Sequence, residues 1–410
     1  MVPKEWKIKT IGDIATVSSG GTPSRKEQSY WNGDIPWVTT AEVKFKTILD
    51  SAEKITKEGL SNSSAKLFPI NTILMAMYGQ GKTRGQVAKL GIEASTNQAC
   101  AAIILSSDYC VDYYYQFLIY QYENIRDMSN SGSQENLSGS IVKSIPVPVP
   151  PYFEQQKIAK ILSTWDQAIS ITEELLENSQ QQKKALMQEL LTGKKRLLDV
   201  NGERFSGEWS QKLVEEYFDV GSSKRVLQAD WKSEGVPFYR TRELVSLSKR
   251  QAFRSEIFIS DELFLELSQK YGIPSVGDFL ISGVGTLGIS YQVKDGDKFY
   301  FKDGNVLWFK LKNHIFSDYF KYCFQSDFVQ EQIEAQASVT TVGTYTIQNA
   351  KKTKFWCPPS LQEQQKIAAV LRIADQEIET LQKKLDCLNQ EKKTLMQQLL
   401  TGKKRVKVAA

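Results

Sequence analysis

The chain holds a single histidine, His314, among 410 residues. A Ser-His-Asp or Cys-His mechanism would have to use it, and a His-rich metal site is excluded. It lies in Lys312-Asn313-His314-Ile315-Phe316, at a strand-to-helix turn, where a structural role is expected. Five cysteines (Cys100, Cys110, Cys323, Cys357, Cys387) are scattered with no CxxC pair. That argues against a zinc site or a disulfide framework and fits a reducing cytoplasm. The longest apolar stretches, such as residues 101–105, fall far short of the ~20 residues that span a bilayer. No charged segment followed by an apolar run opens the chain, so neither a signal peptide nor a membrane partner is expected. The excess of positive charge is small, +5, which permits a nucleic-acid partner without requiring one.

What is present is an internal repeat. Residues 154–196 align without gaps on residues 363–405, offset by 209, with 24 identities in 43 positions. Glu154-Gln-Gln-Lys-Ile-Ala159 recurs as Glu363-Gln-Gln-Lys-Ile-Ala368, and Leu190-Leu-Thr-Gly-Lys-Lys-Arg196 as Leu399-Leu-Thr-Gly-Lys-Lys-Arg405. Such a match divides the chain into two half-units. Each copy reads as one long helix. Apolar steps alternate four and three through Ile367, Leu371, Ala374, Ile378, Leu381, Leu385, Leu388, Leu395 and Leu399, a heptad seam. The first copy carries Ile158, Leu162, Trp165, Ile169, Thr172, Leu176, Ser179, Leu186 and Leu190 in the same register. The missing step is a lysine in both, Lys183 and Lys392, which lowers stability but can fix register or partner. Pro150-Pro151 and Pro358-Pro359 mark the starts; Gly193 and Gly402 suit left-handed C-caps. The economical partner of each amphipathic helix is the other copy, antiparallel or otherwise paired.

The intervening segments are rich in aromatic, β-branched and glycine residues and read as mixed α/β globules. They resemble each other weakly: Glu5-Trp6 and Glu208-Trp209; Gly33-Asp-Ile-Pro-Trp37 and Gly235-Val-Pro-Phe238; the glycine-ended strands beginning at Thr72 and Asp278. An aromatic-rich helical stretch follows in each, residues 113–122 and 319–328. Alike helices with divergent globules suit helices that hold a common partner while each globule recognises something different.

Several catalytic motifs are mimicked. Gly283-Val-Gly-Thr-Leu-Gly288 matches GxGxxG, but the alternating Ile289-Ser-Tyr-Gln-Val293 predicts a strand where a dinucleotide site needs a helix. Gly81-Lys82-Thr83 lacks the first P-loop glycine, which falls on Ala76. Pro150-Pro-Tyr-Phe153 is similar to the catalytic loop of amino-methyltransferases, yet Val149 stands where a side chain must accept from the target amine. Glu173-Glu174 and Glu215-Glu216 read as solvated helix faces.

Together these residues resemble the specificity subunits of type I restriction-modification systems. The resemblance rests on the duplicated helix with its Pro-Pro…Glu-Gln-Gln-Lys-Ile start and Leu-Leu-Thr-Gly-Lys end. It is joined by Trp6…Ile11-Gly12-Asp13…Gly20-Gly21-Thr22-Pro23-Ser24…Tyr30-Trp31, by Thr83-Arg84-Gly85-Gln86-Val87 and by Asn97-Gln98. The second globule lacks a clear Thr-Pro-Ser and Asn-Gln pair. The resemblance implies an α+β fold with two target recognition domains, residues 1–150 and 198–358. Two long helical regions, 151–197 and 359–405, would form a coiled coil with a pseudo-twofold internal repeat, and 406–410 a tail. It further implies a non-catalytic subunit whose globules each read half of a bipartite site in double-stranded DNA. The helices would set the spacing and dock two methylating subunits, and restriction subunits would join the complex. No cofactor is then expected in this chain: S-adenosylmethionine belongs to the methylating partner, ATP and magnesium to the restriction subunit. Long donors on polar or glycine-rich turns are the candidate DNA contacts: Ser24, Arg25, Lys26, Gln80, Lys82 and Arg84 in the first globule, Lys224, Arg225, Arg240, Arg242 and Arg250 in the second. The alternative is a coiled-coil scaffold with two protein-binding globules. A catalytic DNA methyltransferase comes third and is disfavoured by Val149.

Overall fold

The computed structural model describes residues 3–79, 81–128, 136–249, 255–337 and 343–406. It divides into two compact units, Met1–Glu174 with Gln382–Ala410, and Leu175–Leu381. Two 39-residue helices, Tyr152–Leu190 and Leu361–Leu399, each give one part to each unit.

In the first unit a five-stranded sheet runs in the order Ala15–Ser19, Cys100–Leu105, Ile73–Ala76, Val87–Leu90, Thr47–Ile48. The alternation of side chains along its strands divides the core in two. Ile73, Met75, Ala101 and Ile103 face the cluster that holds Tyr113 and Tyr114 of helix Val111–Tyr120. Leu74, Ala76, Cys100 and Ala102 face the other way, with Val38, Ile48 and Phe68. Both faces are covered, so Ile73–Ala76 is apolar at every position. A second sheet orders Glu53–Ile55, Trp31–Val38, Ala94–Thr96 and Leu67–Phe68.

The second unit repeats these pairings. Phe218–Ser222, Val306–Leu311, Phe279–Ser282 and Ser290–Gln292 form an antiparallel sheet. Val236–Tyr239 pairs antiparallel with Phe258–Ile259 and parallel with Tyr300–Phe301, as Trp31–Val38 does with Glu53–Ile55 and Ala94–Thr96. A separate two-stranded ladder closes each globule: Lys7–Thr10 with Pro146–Val149, and Ser210–Leu213 with Lys354–Cys357.

The duplicated motif has a structural reason at each end. Glu154 is almost fully buried and accepts from Arg405 Nε at 2.6 Å and Trp6 Nε1 at 3.2 Å. Glu363, also buried, accepts from Arg196 Nε at 2.5 Å and Nη2 at 2.8 Å. Each arginine lies 5.9 Å from a tryptophan ring, Arg405 from Trp6 and Arg196 from Trp209. The neighbouring glutamines, Gln155 and Gln364, each accept a backbone N–H at 2.9 Å, from Cys110 and Phe316. Those residues precede the first turns of helices Val111–Tyr120 and Ser317–Phe324, whose leading N–H groups have no intrahelical partner. The sequence Glu-Gln-Gln thus joins a helix start to a helix end and to its globule. Gly193 and Gly402 take φ of +73° and +71°, the left-handed conformation that ends a helix.

The seam lysines are paired. Lys392 Nζ lies 2.5 Å from Asp166 in the first unit, and Lys183 Nζ lies 2.6 Å from Asp375 in the second. Around them Ile158 and Leu162 share a core with Met396 and Leu399, and Leu190 shares one with Ile367 and Leu371. Burial works to raise the Asp375 carboxyl. The Lys183 ammonium, the Tyr322 hydroxyl at 2.8 Å and the Lys321 charge outweigh it and hold the group below its ordinary value of 3.8.

Two outcomes follow. A carboxyl depressed in the folded state stabilises above its unfolded value and ceases to do so as pH falls through the folded one. Asp375→Asn should therefore melt below the parent at neutral pH, by the equivalent of ~1 kcal/mol for this partly exposed pair. The gap should close as pH drops below about 4, and a gap independent of pH would contradict the assignment. Glu363→Ala strands Arg196 beside a buried site and should cost about 3 kcal/mol, read as a lowered denaturant midpoint. An unchanged midpoint would show that the motif glutamate is dispensable.

Candidate nucleic-acid interface

In the first globule the segment after strand Ala15–Ser19 is tied down at several points. Gly21 N–H donates to Thr96 O at 2.8 Å, and Gly21 O accepts from Trp37 Nε1 at 2.9 Å. Thr22 Oγ1 meets Gln98 Oε1 at 2.5 Å. The Gly-Gly-Thr-Pro-Ser and Asn-Gln stretches therefore form one surface, although the sequence separates them widely. Ser24, Arg25 and Lys26 follow and are exposed. Arg25 lies 3.7 Å over the Trp31 ring and 5.0 Å from Trp37, and makes a two-pronged ion pair with Glu53, Nη2 to Oε2 at 2.9 Å. That fork holds the Glu53 carboxyl below its usual range. Arg25 is thus a planar cation already fixed against an aromatic face, with about half its side chain exposed.

The second presenting element is the turn between strands Ile73–Ala76 and Val87–Leu90. Lys82 is exposed on it, whereas Arg84 is buried at 8% exposure. Gln80 lies outside the described residues.

In the second globule Lys224 and Arg225 are exposed after strand Phe218–Ser222, the connection that corresponds to Ser24–Lys26. Lys224 Nζ stands 5.5 Å from the Tyr271 ring, and its N–H donates to Tyr300 Oη at 3.1 Å. Arg240 and Arg242 both converge on the buried Glu243, at 2.7 and 3.2 Å, and Arg242 also reaches Glu256 at 2.5 Å. Burial works to raise Glu243, but the Arg240 side chain and backbone N–H overcome it and hold the carboxyl below its usual range. Arg240 is therefore engaged with an internal carboxylate, whereas Arg242, exposed over more than half its side chain, bridges the buried Glu243 and the exposed Glu256. Arg250 lies outside the described residues.

Sequence reasoning took Trp31 and Gln98 only as parts of the family resemblance, with no contact role, and missed Glu53, which carries no signal in the sequence.

The catalytic look-alikes take structural places. Gly283–Gly288 turns between strands Phe279–Ser282 and Ser290–Gln292, with no helix after it. Val149 lies in a ladder opposite Lys7. His314 is exposed between Val306–Leu311 and helix Ser317–Phe324. Among the described residues no group of His, Cys, Asp and Glu could hold a metal ion, and no helix is long and apolar enough to cross a membrane. The five cysteines are free; burial pushes the Cys100 thiol up to about 12 and Cys357 to about 11.

The fold has solved counterparts. The type I restriction-modification S subunit from M. genitalium superposes with a TM-score of 0.62 at 16% identity, over 97% of this chain and 96% of that one. The MjaIX specificity subunit of Methanocaldococcus jannaschii is 30% identical over 282 residues, 63% of this chain and 62% of that protein. The EcoR124I/EcoR124II specificity subunit of Escherichia coli is 34% identical over 179 residues, 42% of this chain and 43% of that protein. The chain thus spans less than two thirds of either relative in these alignments. The MjaVIII specificity subunit of Methanocaldococcus jannaschii aligns over 99% of this chain and 94% of its own length, at 24% identity. A family profile described as the type I restriction modification DNA specificity domain matches twice, at residues 3–179 and 207–390. Two matches that together take in both globules and most of both helices place the chain in the family of type I restriction modification DNA specificity proteins.

Proposed function

We propose that this chain is the non-catalytic specificity subunit of a type I restriction-modification enzyme, reading a split site in double-stranded DNA. The observation that carries the reading is one set of strand pairings built twice, each closed by its own ladder and joined to the same Glu-Gln-Gln anchor. Divergent segments ride on that common frame: Ser24–Lys26 beside Trp31 in one globule, Lys224 and Arg225 beside Tyr271 in the other. Each globule reads one half-site. Exposed Ser24, Lys26, Lys82, Lys224 and Arg225 touch phosphate or base edges, and Arg25 offers its fixed plane. Arg240 acts chiefly from behind, through the buried Glu243, whereas Arg242 reaches the surface beside Glu256; Arg84, buried, acts from within the turn.

In this reading the two helices form an antiparallel coiled coil related by a pseudo-twofold axis. The reciprocal pairs Lys392–Asp166 and Lys183–Asp375, each shifted by the repeat offset, support it. A helix of 39 residues is about 60 Å long at 1.5 Å per residue. That length exceeds the roughly 34 Å between major grooves one turn apart on a DNA face, so the coil can fix the unread gap. The coil also docks two methylating subunits, which bring S-adenosylmethionine. Restriction subunits bring ATP and magnesium. Free, unbridged cysteines suit the cytoplasm.

The test is to co-express the chain with its cognate methylating subunit in a methylation-free host and map modified adenines. A split motif with a fixed gap is expected. A contiguous motif would refute the two-reader arrangement, and no methylation beside a demonstrably active partner would favour a protein-binding scaffold. Lys82→Ala should weaken binding to matched and unmatched duplexes alike and lower the salt slope of log K by about one. An unchanged slope would take Lys82 off the DNA.

A further inference from the structure

The glycine-rich turns that join corresponding strands in the two globules are latched from behind in the same way. In the first, Arg126 Nη2 donates to Gly81 O at 3.0 Å and the Tyr122 hydroxyl donates to Lys82 O. Both donors lie on the short helix Tyr122–Asp127, directly after the aromatic-rich helix, and the Tyr122 ring is braced edge-on by Phe45 at 5.1 Å. In the second, Gln330 Nε2 donates to Gly288 O at 3.4 Å and to Phe324 O at 2.7 Å. It lies on Asp327–Ala337, again the helix after the aromatic-rich one, and Thr241 Oγ1 reaches Val284 O at 3.3 Å.

The glycines divide the work. A Cβ on Gly85 would meet Arg126 Cγ at 3.0 Å, and one on Gly288 would meet Gln330 Oε1 at 2.7 Å, so these two face the latch. A Cβ on Gly81 or Gly285 would meet nothing within 4 Å, so these two face open space. All four have positive φ, a conformation that disfavours side-chain-bearing residues. One side of each turn is therefore fixed to a helix and the other is open. The carbonyl oxygens of Gly81, Lys82 and Gly288, which would repel a phosphate, are bound from behind, and each such bond lowers the entropy cost of holding its residue against a ligand.

We propose that Tyr122 and Arg126 in the first globule, and Gln330 in the second, are positioning residues that set the turns against DNA and so govern half-site discrimination without touching a base. The inference rests on the DNA-reading function proposed above. The test uses the complex with the methylating subunit and duplexes carrying the mapped split motif with one half or the other altered. A Tyr122→Phe, Arg126→Met double variant should lose about tenfold of its discrimination at one half-site and keep it at the other. Gln330→Met should do the reverse. Melting temperature and binding to unrelated DNA are measured on the same samples. Unchanged discrimination in both variants would overturn the proposal. So would equal loss at both half-sites with a lowered melting temperature, since the side chains would then only hold the fold. A parent complex with no preference for a split site would instead refute the underlying function, and it is measured first.

Discussion

A lysine placed on a hydrophobic seam must find an anion, and in this chain each copy of the helix finds it in the other copy. Lys392 takes Asp166 and Lys183 takes Asp375. Other registers would leave a charge among leucines, which is costly. The arginine-to-glutamate pairs at the helix ends, Arg405 with Glu154 and Arg196 with Glu363, enforce the same alignment. Each of these charged residues therefore has to satisfy a partner drawn from the duplicate copy. A change in one copy breaks a pair in the other, which accounts for near-identical helix ends beside globules that have drifted apart.

Much of this was legible because heptad periodicity and a gap-free repeat are local in sequence. The helix starts, the left-handed glycines and the strand after Gly288 follow from spacing and elementary backbone geometry. The weak likenesses between globules also fall on corresponding places. Trp6 and Trp209 lie by equivalent arginines, and Trp31–Val38 and Val236–Tyr239 share their pairings. The identity of the lysines' partners was not legible, since Asp166 and Asp375 look like ordinary charged helix residues until their partners are brought beside them.

The candidate site was read less completely. Choosing long donors on turns finds exposed residues such as Lys26 and Arg225, but it cannot see which cations are already spent. Arg25, Arg240 and Arg242 look alike in sequence and all are paired, yet Arg25 stacks on Trp31 beside the half-exposed Glu53, Arg240 is spent on the buried Glu243, and Arg242 bridges Glu243 to the exposed Glu256. Arg84 sits in a glycine-rich turn and still points inward. Tyr122 stood only as the end of an aromatic-rich stretch and Arg126 drew no notice, because an i, i+4 pair is unremarkable until the turn carbonyls are seen to meet it.

The ladders that close the globules have an evolutionary consequence. Lys7–Thr10 lies beside Pro146–Val149, and Ser210–Leu213 beside Lys354–Cys357, so both ends of each globule leave through one pair of adjacent strands. Strands in such a pair stand about 5 Å apart. A foreign globule introduced by recombination has to reproduce that narrow doorway and the groups that meet the helices: the backbone N–H that Gln155 or Gln364 accepts, the Trp6 donor to Glu154 or the Tyr322 donor to Asp375, and the apolar side chains packed on the helix. Surfaces away from those contacts are free to change, so, in the proposed role, a globule can be exchanged as a unit as well as altered by gradual substitution.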